Sequence, residues 1–528
     1  MARGKSAAAL DLPRPPGLDD SCATATKQDT IYETLRAAIL RRWLPADSRL
    51  PSSRELAHRW GVSRGTVEAA FDRLHAEAYV ARRAGSGTRV CAVVPERFLA
   101  APWRAGGSDS GSGSDSGSDL VSDSDSHSGT GTGADLHSAD AARHGGADAP
   151  GVATEARVLA GRPFVSRMAD PALFPMAVWA KYVSKAMLGA SAERLCSPDA
   201  RGAPELRGQI AAYLRSHRGM DCAADDIIVT TGIRHALDLI SRSLLRPGDS
   251  ACVEDPGYTS AERIFALAGA RTVFAPVGAE GIDCAALRAH PDVRLAFVTP
   301  AHQSPLGVTM SVSRRLELLD WASERRAWIV EDDYDSEFNY HSAPLPALKS
   351  LDRHGRVIHC GSFNKTLFAG LRIGFIVAPP AVRERLMALW QTTGRSVGIS
   401  EQMALADYIG DGAYLRHLRQ ARRAYQQRRD ALLDCLAAGG DGQRGQVSGS
   451  QAGFHFMLWL PPGCDELDFC ARAAADDITL QPLSAFCRQA VLPPAVLLGY
   501  TALTLAQVRF AGQKLARLLA RARAEPAR

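Results

Sequence analysis

A stretch of Ser, Gly, Asp and Thr divides this 528-residue chain into two unequal parts. Residues 108–150 contain almost no apolar side chains and begin with the run Ser-Asp-Ser-Gly-Ser-Gly-Ser-Asp. Such a segment buries too little apolar surface to offset the entropy lost on ordering, so we expect a flexible linker over 98–158. As a random coil, 108–150 would span roughly 35 Å. The chain is therefore predicted to contain a small N-terminal domain, 27–97, and a large C-terminal domain, 159–528.

The two domains differ in charge. The whole chain has 62 Lys and Arg against 57 Asp and Glu, a formal charge of +5. Residues 27–97 alone hold 13 basic and 8 acidic residues, which also gives +5 (13 − 8), so the rest of the chain is close to neutral. A small basic module joined to a large neutral one is typical of a DNA-binding domain attached to a sensing or catalytic body. The Ala- and Pro-rich residues 1–26 predict a flexible N-terminus.

Composition excludes several classes of protein. The longest uncharged stretch near the C-terminus, 490–506, contains two Pro and is too short to span a bilayer. No long apolar run follows Met1, so no secretory signal is predicted. The eleven Cys are an odd number without a Cys-x-x-Cys pair, which argues against a disulfide framework or a zinc site. We expect a cytoplasmic protein without membrane contact or metal.

The apolar residues of 27–97 predict three short helices. Ile31, Leu35 and Ile39 recur at helical spacing. The run Ser52-Ser-Arg-Glu has the capping-box spacing that begins a second helix, and a Gly-Val turn separates it from a third helix that Ser63 can cap. The residues predicted to face inward from these two helices are Leu56, Trp60, Val67, Ala70, Phe71 and Leu74.

Two helices joined by a tight turn form a helix-turn-helix, whose second helix presents its first turn to base edges. This motif places Arg64 and Thr66 in the groove and Arg54 near the phosphates. The run 82–89, which contains Arg and Gly, then predicts a two-stranded wing. The candidate DNA-binding residues are Arg54, Ser63, Arg64, Thr66, Arg82 and Gly87. The alternative is a small helical domain with a solvated basic face.

The large domain alternates short apolar runs with helical stretches. The runs include Asp-Ile-Ile-Val-Thr from residue 226, Arg-Leu-Ala-Phe-Val from 294, Ala-Trp-Ile-Val from 327 and Arg-Val-Ile-His-Cys from 356. That rhythm predicts an α/β fold with a mostly parallel sheet.

Chemically reactive residues follow two of these runs. Side chains alternate along a strand, so Asp332 and Tyr334 should share one face, opposite the other acidic residues of the run Glu-Asp-Asp-Tyr-Asp over 331–335. Lys365 comes 33 residues after Asp332, and Arg372 seven residues later. An Asp that keeps a pyridinium nitrogen protonated, a phenol, a Lys amine for a Schiff base and an Arg for a phosphate are what a pyridoxal phosphate site requires.

Two further features agree with that cofactor. Gly232 precedes a predicted helix starting near Ile233 and Arg234, whose N-terminal amides would bind the phosphate. Tyr258, in Glu-Asp-Pro-Gly-Tyr, is a candidate for stacking on the cofactor ring, although core packing would explain it equally well. The acidic cluster has an alternative interpretation as a Mg²⁺ site. Ser362-x-x-Lys365 also matches the nucleophile pattern of penicillin-binding enzymes, but the companion motifs are absent. Lys365 and Arg372 would otherwise be ordinary surface charges.

These motifs carry a resemblance to a known family. The runs 49–57, 60–67 and 85–88 resemble the winged helix-turn-helix of GntR regulators. The runs 229–239, 299–307, 331–338 and 361–374 resemble the fold-type I aminotransferases. Together they are similar to the MocR-type subfamily of GntR regulators. The resemblance implies an N-terminal winged helix-turn-helix and an α/β body of the fold-type I class, with a mostly parallel sheet and a smaller C-terminal α/β subdomain.

The resemblance also implies residue roles and partners. Lys365 would be the Schiff-base lysine, Asp332 the partner of the pyridine nitrogen, Tyr334 the partner of the ring hydroxyl and Tyr258 the stacking ring. The phosphate ligands would be Ser362 and Arg372, with the turn Gly232, Ile233 and Arg234. The implied partners are operator DNA, pyridoxal phosphate, a small amino compound and a second copy in a head-to-tail homodimer.

Five positions depart from the family pattern. Ser197 stands where a Tyr commonly reaches the partner's phosphate, and Leu497 stands where aminotransferases place the Arg that binds a substrate carboxylate. The other three are Ile233, Ser304 and Asn364. The departures favour a regulator in which the body senses pyridoxal phosphate or an amine and controls operator binding. The alternatives are an active aminotransferase that the head tethers to DNA, and a degenerate body that only dimerises the head.

Overall fold

The computed structural model describes residues 27–40, 43–45, 48–76, 79–83, 87–90, 162–196, 199–340, 346–393, 397–438 and 447–524. The predicted flexible N-terminus 1–26, the predicted linker 98–158 and Ser197 lie outside these residues. Within the described ranges, no helix combines the length and the apolar character needed to cross a bilayer. The nine cysteines in these ranges are all free thiols.

The N-terminal domain has three helices and a two-stranded sheet. Its elements are α1 (Lys27–Leu40), α2 (Ser53–Trp60), α3 (Arg64–Ala76), β1 (Val80–Arg83) and β2 (Gly87–Val90). The two strands pair antiparallel, as the predicted wing requires. All nine apolar residues predicted to face inward are buried in one cluster, which draws its members only from residues 31–90. The helical spacing and the capping box therefore predicted this domain correctly.

The large domain contains the remaining helices and strands. Its α-helices are α4 (Met176–Leu188), α5 (Ala192–Cys196), α6 (Pro204–Arg218), α7 (Ile233–Leu244), α8 (Thr259–Leu267), α9 (Cys284–Arg288), α10 (Val312–Arg325), α11 (Leu348–Leu351), α12 (Phe363–Thr366), α13 (Pro380–Thr393), α14 (Ile399–Gly410), α15 (Ala413–Ala438), α16 (Glu466–Ala475) and α17 (Leu505–Ala524). Its strands are β3 (Ile227–Thr230), β4 (Ser250–Asp255), β5 (Arg271–Gly278), β6 (Gly281–Ile282), β7 (Val293–Val298), β8 (Trp328–Asp333), β9 (Val357–Ser362), β10 (Gly374–Val377), β11 (Val447–Ser448), β12 (His455–Trp459), β13 (Gln481–Pro482) and β14 (Ala495–Gly499).

Eight strands form one large sheet in the order β3-β10-β9-β8-β7-β4-β5-β6. The pairs from β9 through β5 are parallel, whereas β10 runs antiparallel to both β3 and β9, and β6 is antiparallel to β5. The four apolar runs named in the sequence become β3, β7, β8 and β9. Since β3, β9 and β8 run in the same direction, the loops that follow them lie at the same edge of the sheet.

A smaller antiparallel sheet, β11-β12-β14-β13, forms the C-terminal part of the domain. The segment 162–170 packs on it: the amide of Gly499 donates to the carbonyl of Phe164 (3.0 Å), and the amide of Thr479 donates to that of Pro163 (3.0 Å). A Cβ added at Gly499 would lie 2.2 Å from the carbonyl oxygen of Val165, so only glycine permits this approach. The predicted fold class, a mostly parallel α/β sheet with a smaller C-terminal subdomain, is confirmed.

Candidate functional site

The helix-turn-helix is built by two helix caps and one glycine. The Ser52 hydroxyl accepts the amide of Glu55 (3.2 Å) and starts α2. Gly61 ends α2 with φ +66°, a left-handed conformation that costs a residue with a side chain roughly 1 kcal/mol. The Ser63 hydroxyl then accepts the amide of Thr66 (3.1 Å) and lies 2.7 Å from the Thr66 hydroxyl, which starts α3. Both polar side chains are therefore held at the first turn of the recognition helix.

The basic residues of this surface are placed as follows. Arg54 and Arg64 are exposed on α2 and α3. The guanidinium of Arg64 also pairs with Glu68 one turn later (2.8 Å), and Glu68 in turn accepts the Ser53 hydroxyl (3.2 Å). Arg82 lies on β1, opposite Thr88 of β2. Gly87 starts β2, opposite Arg83 of β1.

The second site lies where β3, β8 and β9 end. Lys365 is on the short helix α12, three residues beyond β9, and is half-buried. Its amine donates a hydrogen bond to the backbone carbonyl of Arg167 (2.5 Å). Burial, together with repulsion from Arg167, lowers the pKa of Lys365 to about 8, and the opposing attraction of Asp332 does not restore it. The amine is therefore closer to its neutral, nucleophilic form at physiological pH than an exposed lysine would be.

Asp332 lies at the end of β8 and is only 6% exposed. Within the described part of the chain, no group forms a hydrogen bond or an ion pair with its carboxylate. Burial, reinforced by repulsion from Asp333 and Asp335, raises the pKa of Asp332 well above its usual range, while Lys365 acts in the opposite direction. A buried carboxylate without a partner is costly unless a cation or donor binds it.

One prediction about this strand is wrong. Asp335 was expected on the face opposite Tyr334, but both side chains contact His302. The Tyr334 hydroxyl donates to the His302 carbonyl (2.9 Å), and Asp335 lies 2.9 Å from His302 Nδ1. The alternation fails because β8 ends at Asp333 and Asp335 precedes a 3₁₀ turn, Ser336–Phe338. Burial alone would lower the pKa of His302, but the Asp335 carboxylate raises it.

His302, Asp335 and His455 form a buried group that sequence reasoning missed. Their ligand atoms lie within 4.8 Å of one another. Hydrogen bonds already use both ring nitrogens of His302, an oxygen of Asp335 and one nitrogen of His455, because His302 also contacts the carbonyl of Gly449 (3.2 Å) and His455 that of Pro305 (3.3 Å). The Tyr334 hydroxyl contacts both the carbonyl and Nδ1 of His302, so this group helps to fix the position of Tyr334.

The other two acidic residues of the run have structural partners. Glu331 accepts the Nδ1 of His359 (3.0 Å) and two backbone amides; burial would raise its pKa, but His359 and these bonds lower it to about 2. Asp333 pairs with the buried Arg218 (2.6 Å). Two of the carboxylates that the alternative Mg²⁺ site would need, Glu331 and Asp333, are thus already paired with His359 and Arg218.

The turn before α7 forms a cradle of backbone groups. Gly232 has φ +123°, and a Cβ there would lie 2.8 Å from Asn364 Nδ2. The amides of Ile233 and Arg234 begin a twelve-residue helix, where amides lack intrahelical acceptors and the helix dipole is positive. A phosphate fits this cradle because its ligands are backbone amides rather than side chains. The side chain of Ile233 is consequently irrelevant to the cradle.

Asn364 joins this cradle to the lysine. Its Oδ1 accepts the amide of Ile373 (2.9 Å), and its Nδ2 donates to the carbonyl of Thr231 (3.4 Å). A Cβ at Gly374 would lie 2.8 Å from the Cα of Gly232, so the two loops touch at their backbones. The family departure at Asn364 therefore replaces a hydroxyl with an amide that crosslinks both loops.

The remaining predicted cofactor residues surround the same cradle. The Ser362 hydroxyl accepts the amide of Asn364 (3.3 Å) and caps α12. Arg372 is exposed, with φ +55°. The half-buried Tyr258 begins α8; its hydroxyl accepts the Nε of Arg234 (3.4 Å), and its ring lies 6.0 Å from that of Phe297. Ser304, another departure, is buried.

Arg167 is the other residue that sequence reasoning missed. Besides accepting the Lys365 amine through its carbonyl, it has φ +61° and places its guanidinium 5.0 Å from the centre of the Phe486 ring. Its charge interacts with Tyr334, Tyr258 and Asp335, so the side chain faces the site. No sequence signal marks it, because it lies 198 residues from Lys365 in a segment without periodicity.

These residues fit pyridoxal phosphate, a group that the structure does not contain. An amine with a depressed pKa, a carboxylate without a partner, a phenol and a backbone anion cradle are the four features that this cofactor requires. The unpartnered Asp332 is the most specific of them, because a protonated ring nitrogen would supply the cation that it lacks.

Comparisons with known proteins agree with both sites. The family described as bacterial regulatory proteins, gntR family, matches residues 27–90, and aminotransferase class I and II matches 168–487. The probable rhizopine catabolism regulatory protein MocR of Rhizobium meliloti is 36% identical over 413 residues, 76% of this chain and 76% of that protein. The chain belongs to the MocR-type subfamily of GntR transcriptional regulators.

Other relatives of this MocR-type regulator extend the comparison. The pyridoxine biosynthesis transcriptional regulator PdxR of Corynebacterium glutamicum is 32% identical, over 81% of this chain and 82% of that protein. Among solved structures, the Pyrococcus horikoshii kynurenine aminotransferase in complex with PMP has a TM-score of 0.64 and 27% identity, and covers 70% of this chain and 94% of its own. The MocR-type assignment confirms the predicted combination of a GntR head with a fold-type I aminotransferase-like body, linked to transcriptional regulation.

Proposed function

We propose that the body of this MocR-type regulator binds pyridoxal phosphate through Lys365 and thereby changes how the head binds operator DNA. The observation that carries this proposal is the unpartnered, buried Asp332 beside the amine of Lys365, at the edge of the sheet where the Gly232 cradle also lies. Each group belongs to a different element, and no packing requirement explains all three. The names of the PdxR relative and of the PMP-bound neighbour support the same cofactor.

Each residue has a definite task when the cofactor is bound. The cofactor supplies an aldehyde that condenses with an amine and a ring that withdraws electrons. The Lys365 amine would hold the cofactor at its aldehyde carbon, and Asp332 would hold the proton on the ring nitrogen. The proposed remaining ligands are Tyr334 for the ring hydroxyl, Tyr258 for the ring face, and Gly232, Ile233, Arg234, Ser362 and Arg372 for the phosphate.

The effector is proposed to be the cofactor itself or a small amino compound. An amino compound would compete with the amine of Lys365 for the same position on the cofactor, and Lys365 would be a free amine whenever the compound occupies it. Regulation then requires that the ligand bind two arrangements of head and body with different affinity, since equal affinity shifts no equilibrium.

A titration of the purified protein with pyridoxal phosphate tests cofactor binding. We expect a visible absorption band in the wild type, no such band in Lys365→Ala, and a wild-type band in Lys181→Ala, which removes an exposed lysine on α4. Absence of the band in the wild type at saturating cofactor would overturn the proposal. A duplex selected from a random library with the wild-type protein then serves as the DNA probe, and its Kd should change when the cofactor is added.

An active aminotransferase is the second candidate, because the Lys365, Asp332 and Tyr334 set is complete. Leu497, however, is fully buried on β14 in an apolar cluster with Phe486 and Met457, so this strand offers no cation for a substrate carboxylate. We propose that turnover is residual. Steady transamination of an amino donor and a 2-oxo acid at several turnovers per second, within the ordinary range for enzymes, would favour the second candidate instead.

The proposed assembly is a head-to-tail homodimer on operator DNA. Helix α4 exposes four large apolar side chains, Met176, Val178, Met187 and Leu188, of which Leu188 is 90% exposed. Adjacent apolar surface of this kind is typical of an interface between protein chains. Sedimentation of the full chain should give twice its 56.5 kDa mass, and a monomer at micromolar concentration would contradict the assembly.

A further inference from the structure

We infer that Arg167 is the residue that selects a carboxylate-bearing amino compound, an amino acid rather than a simple amine, as the ligand of the body. This inference rests on the proposed function, because it concerns a ligand that reaches the cofactor at Lys365. Four observations about the position of Arg167 carry it.

The first observation is where its charge lies. The guanidinium stands over the ring of Phe486, at 5.0 Å, and interacts with Tyr334, Tyr258 and Asp335. The charges of Arg167 and Asp335 also act on the amine of Lys365. An amino compound attached near Lys365 would therefore place its substituents within reach of this cation.

The second observation is that, among the described residues, no carboxylate forms an ion pair with this guanidinium. Over the residues that the structure describes, no carboxylate lies within 4.0 Å of the guanidinium, whereas the buried Arg218 and Arg428 pair with Asp333 and Asp170 respectively. Burial lowers the pKa of Arg167, the direction expected of a cation whose neighbours do not compensate for lost water. A ligand carboxylate is the group that would supply two parallel hydrogen bonds to it.

The third observation is backbone strain. Arg167 has φ +61°, a left-handed conformation that is unfavourable for a residue with a Cβ by roughly 1 to 2 kcal/mol. Its backbone carbonyl accepts the Lys365 amine (2.5 Å) in this conformation, so glycine would serve the backbone equally well. The backbone conformation therefore does not favour arginine here, and what arginine adds to this position is its side chain.

The fourth observation is the neighbouring strand. Leu497 on β14, where aminotransferases place an arginine, belongs to the same apolar cluster as Phe486. The Phe486 ring beneath the Arg167 guanidinium and the Leu497 position are therefore parts of one cluster. The segment of Arg167 is anchored to the end of β14 through Gly499 and Phe164 (3.0 Å). The strand β14 has no cation at position 497, and the segment that packs on this strand instead places the Arg167 guanidinium over the same cluster.

The test uses the full-length protein loaded with pyridoxal phosphate and three matched pairs of compounds that differ by a carboxylate. The pairs are L-alanine and ethylamine, L-leucine and 3-methylbutylamine, and L-phenylalanine and phenethylamine. Concentrations that half-complete the change in the visible absorption of the bound cofactor give an apparent Kd for each. In the wild type, at least one amino acid should bind roughly 10-fold or more tightly than its amine, as the loss of a charged hydrogen bond implies.

Arg167→Gly removes the cation and suits the left-handed backbone, so it should keep the cofactor band and lose the preference. Arg167→Lys should retain part of it, and Arg162→Leu, which removes an exposed arginine of the same segment, should retain all of it. Equal preference in the wild type and Arg167→Gly, or no preference in any pair, would overturn the inference while leaving cofactor binding intact. No band in the wild type would instead refute the proposed function.

Discussion

Lys365 links its protonation to the rate at which the cofactor attaches. Its pKa is about 8 because burial and Arg167 disfavour the ammonium, and only the neutral amine attacks an aldehyde. The attachment rate constant should therefore rise about tenfold per pH unit below pH 8 and level off above it. Stopped-flow absorption between pH 6 and 10 measures it. Arg167→Gly should move the plateau to higher pH, and a rate that continues to rise to pH 10 in the wild type would contradict the assignment.

We expect Asp332 to lower the free energy of unfolding of the protein when no cofactor is bound. Its pKa is raised by burial and by Asp333, so the folded state resists ionisation and stability falls as pH rises from about 4, the unfolded value, through the folded pKa. At neutral pH, Asp332→Asn should raise the melting temperature of the cofactor-free protein and weaken pyridoxal phosphate binding about tenfold or more. The matched control is Asp320→Asn, which changes an exposed residue of α10 and should alter neither quantity.

At the scale of elements, the turn before α7 depends on a glycine. In Gly232→Ala, the new Cβ would lie 2.8 Å from Asn364 Nδ2, and φ +123° is unfavourable for alanine. We expect a loss of cofactor affinity of about tenfold or more, because the crosslink from Asn364 to Thr231 and the anion cradle are both displaced. Gly208→Ala on α6 is the control, since no atom lies within 4 Å of the added Cβ. It should stabilise the protein by roughly 0.5 to 1 kcal/mol.

The first turn of α3 makes a separate prediction about DNA. Arg64→Ala should weaken binding to a selected operator by about 1 to 3 kcal/mol and relax its sequence preference, because a base-contacting arginine is removed. Lys27→Ala, at the start of α1, should change affinity little for any sequence. Fluorescence anisotropy on the selected duplex and on a scrambled duplex distinguishes the two. Equal loss on both duplexes would mean that Arg64 contacts phosphates.

Elements with strong local signals were predictable, and long-range placement was not. Val- and Ile-rich runs identified β3, β7, β8 and β9, and the caps at Ser52 and Ser63 identified α2 and α3. Asp335 was placed on the wrong face because no sequence feature marks the end of β8 at Asp333. Arg167 was missed because its proximity to Lys365 depends on the packing of a distant segment on β14.

For the whole molecule, the separate hydrophobic clusters predict two thermal transitions. The head cluster contains only residues of 31–90, and the body clusters only residues from 164 onward. Pyridoxal phosphate at 100 times its Kd should stabilise the body by about 2.7 kcal/mol and leave the head transition unchanged. Calorimetry with and without cofactor measures this. A single transition that shifts as a unit would show that the two domains unfold together.

The hydrogen bond from Lys365 to the carbonyl of Arg167 joins the proposed cofactor site to the first residues of the body. Residue 167 lies soon after the end of the predicted linker at residue 158. A residue near the start of the body therefore accepts a hydrogen bond from the amine that is proposed to hold the cofactor. The Lys365 amine would have fewer hydrogens to donate to this carbonyl when it holds the cofactor than when it is free. Occupancy of the cofactor site would thus weaken or restore a hydrogen bond between the Lys365 amine and residue 167, near the start of the body.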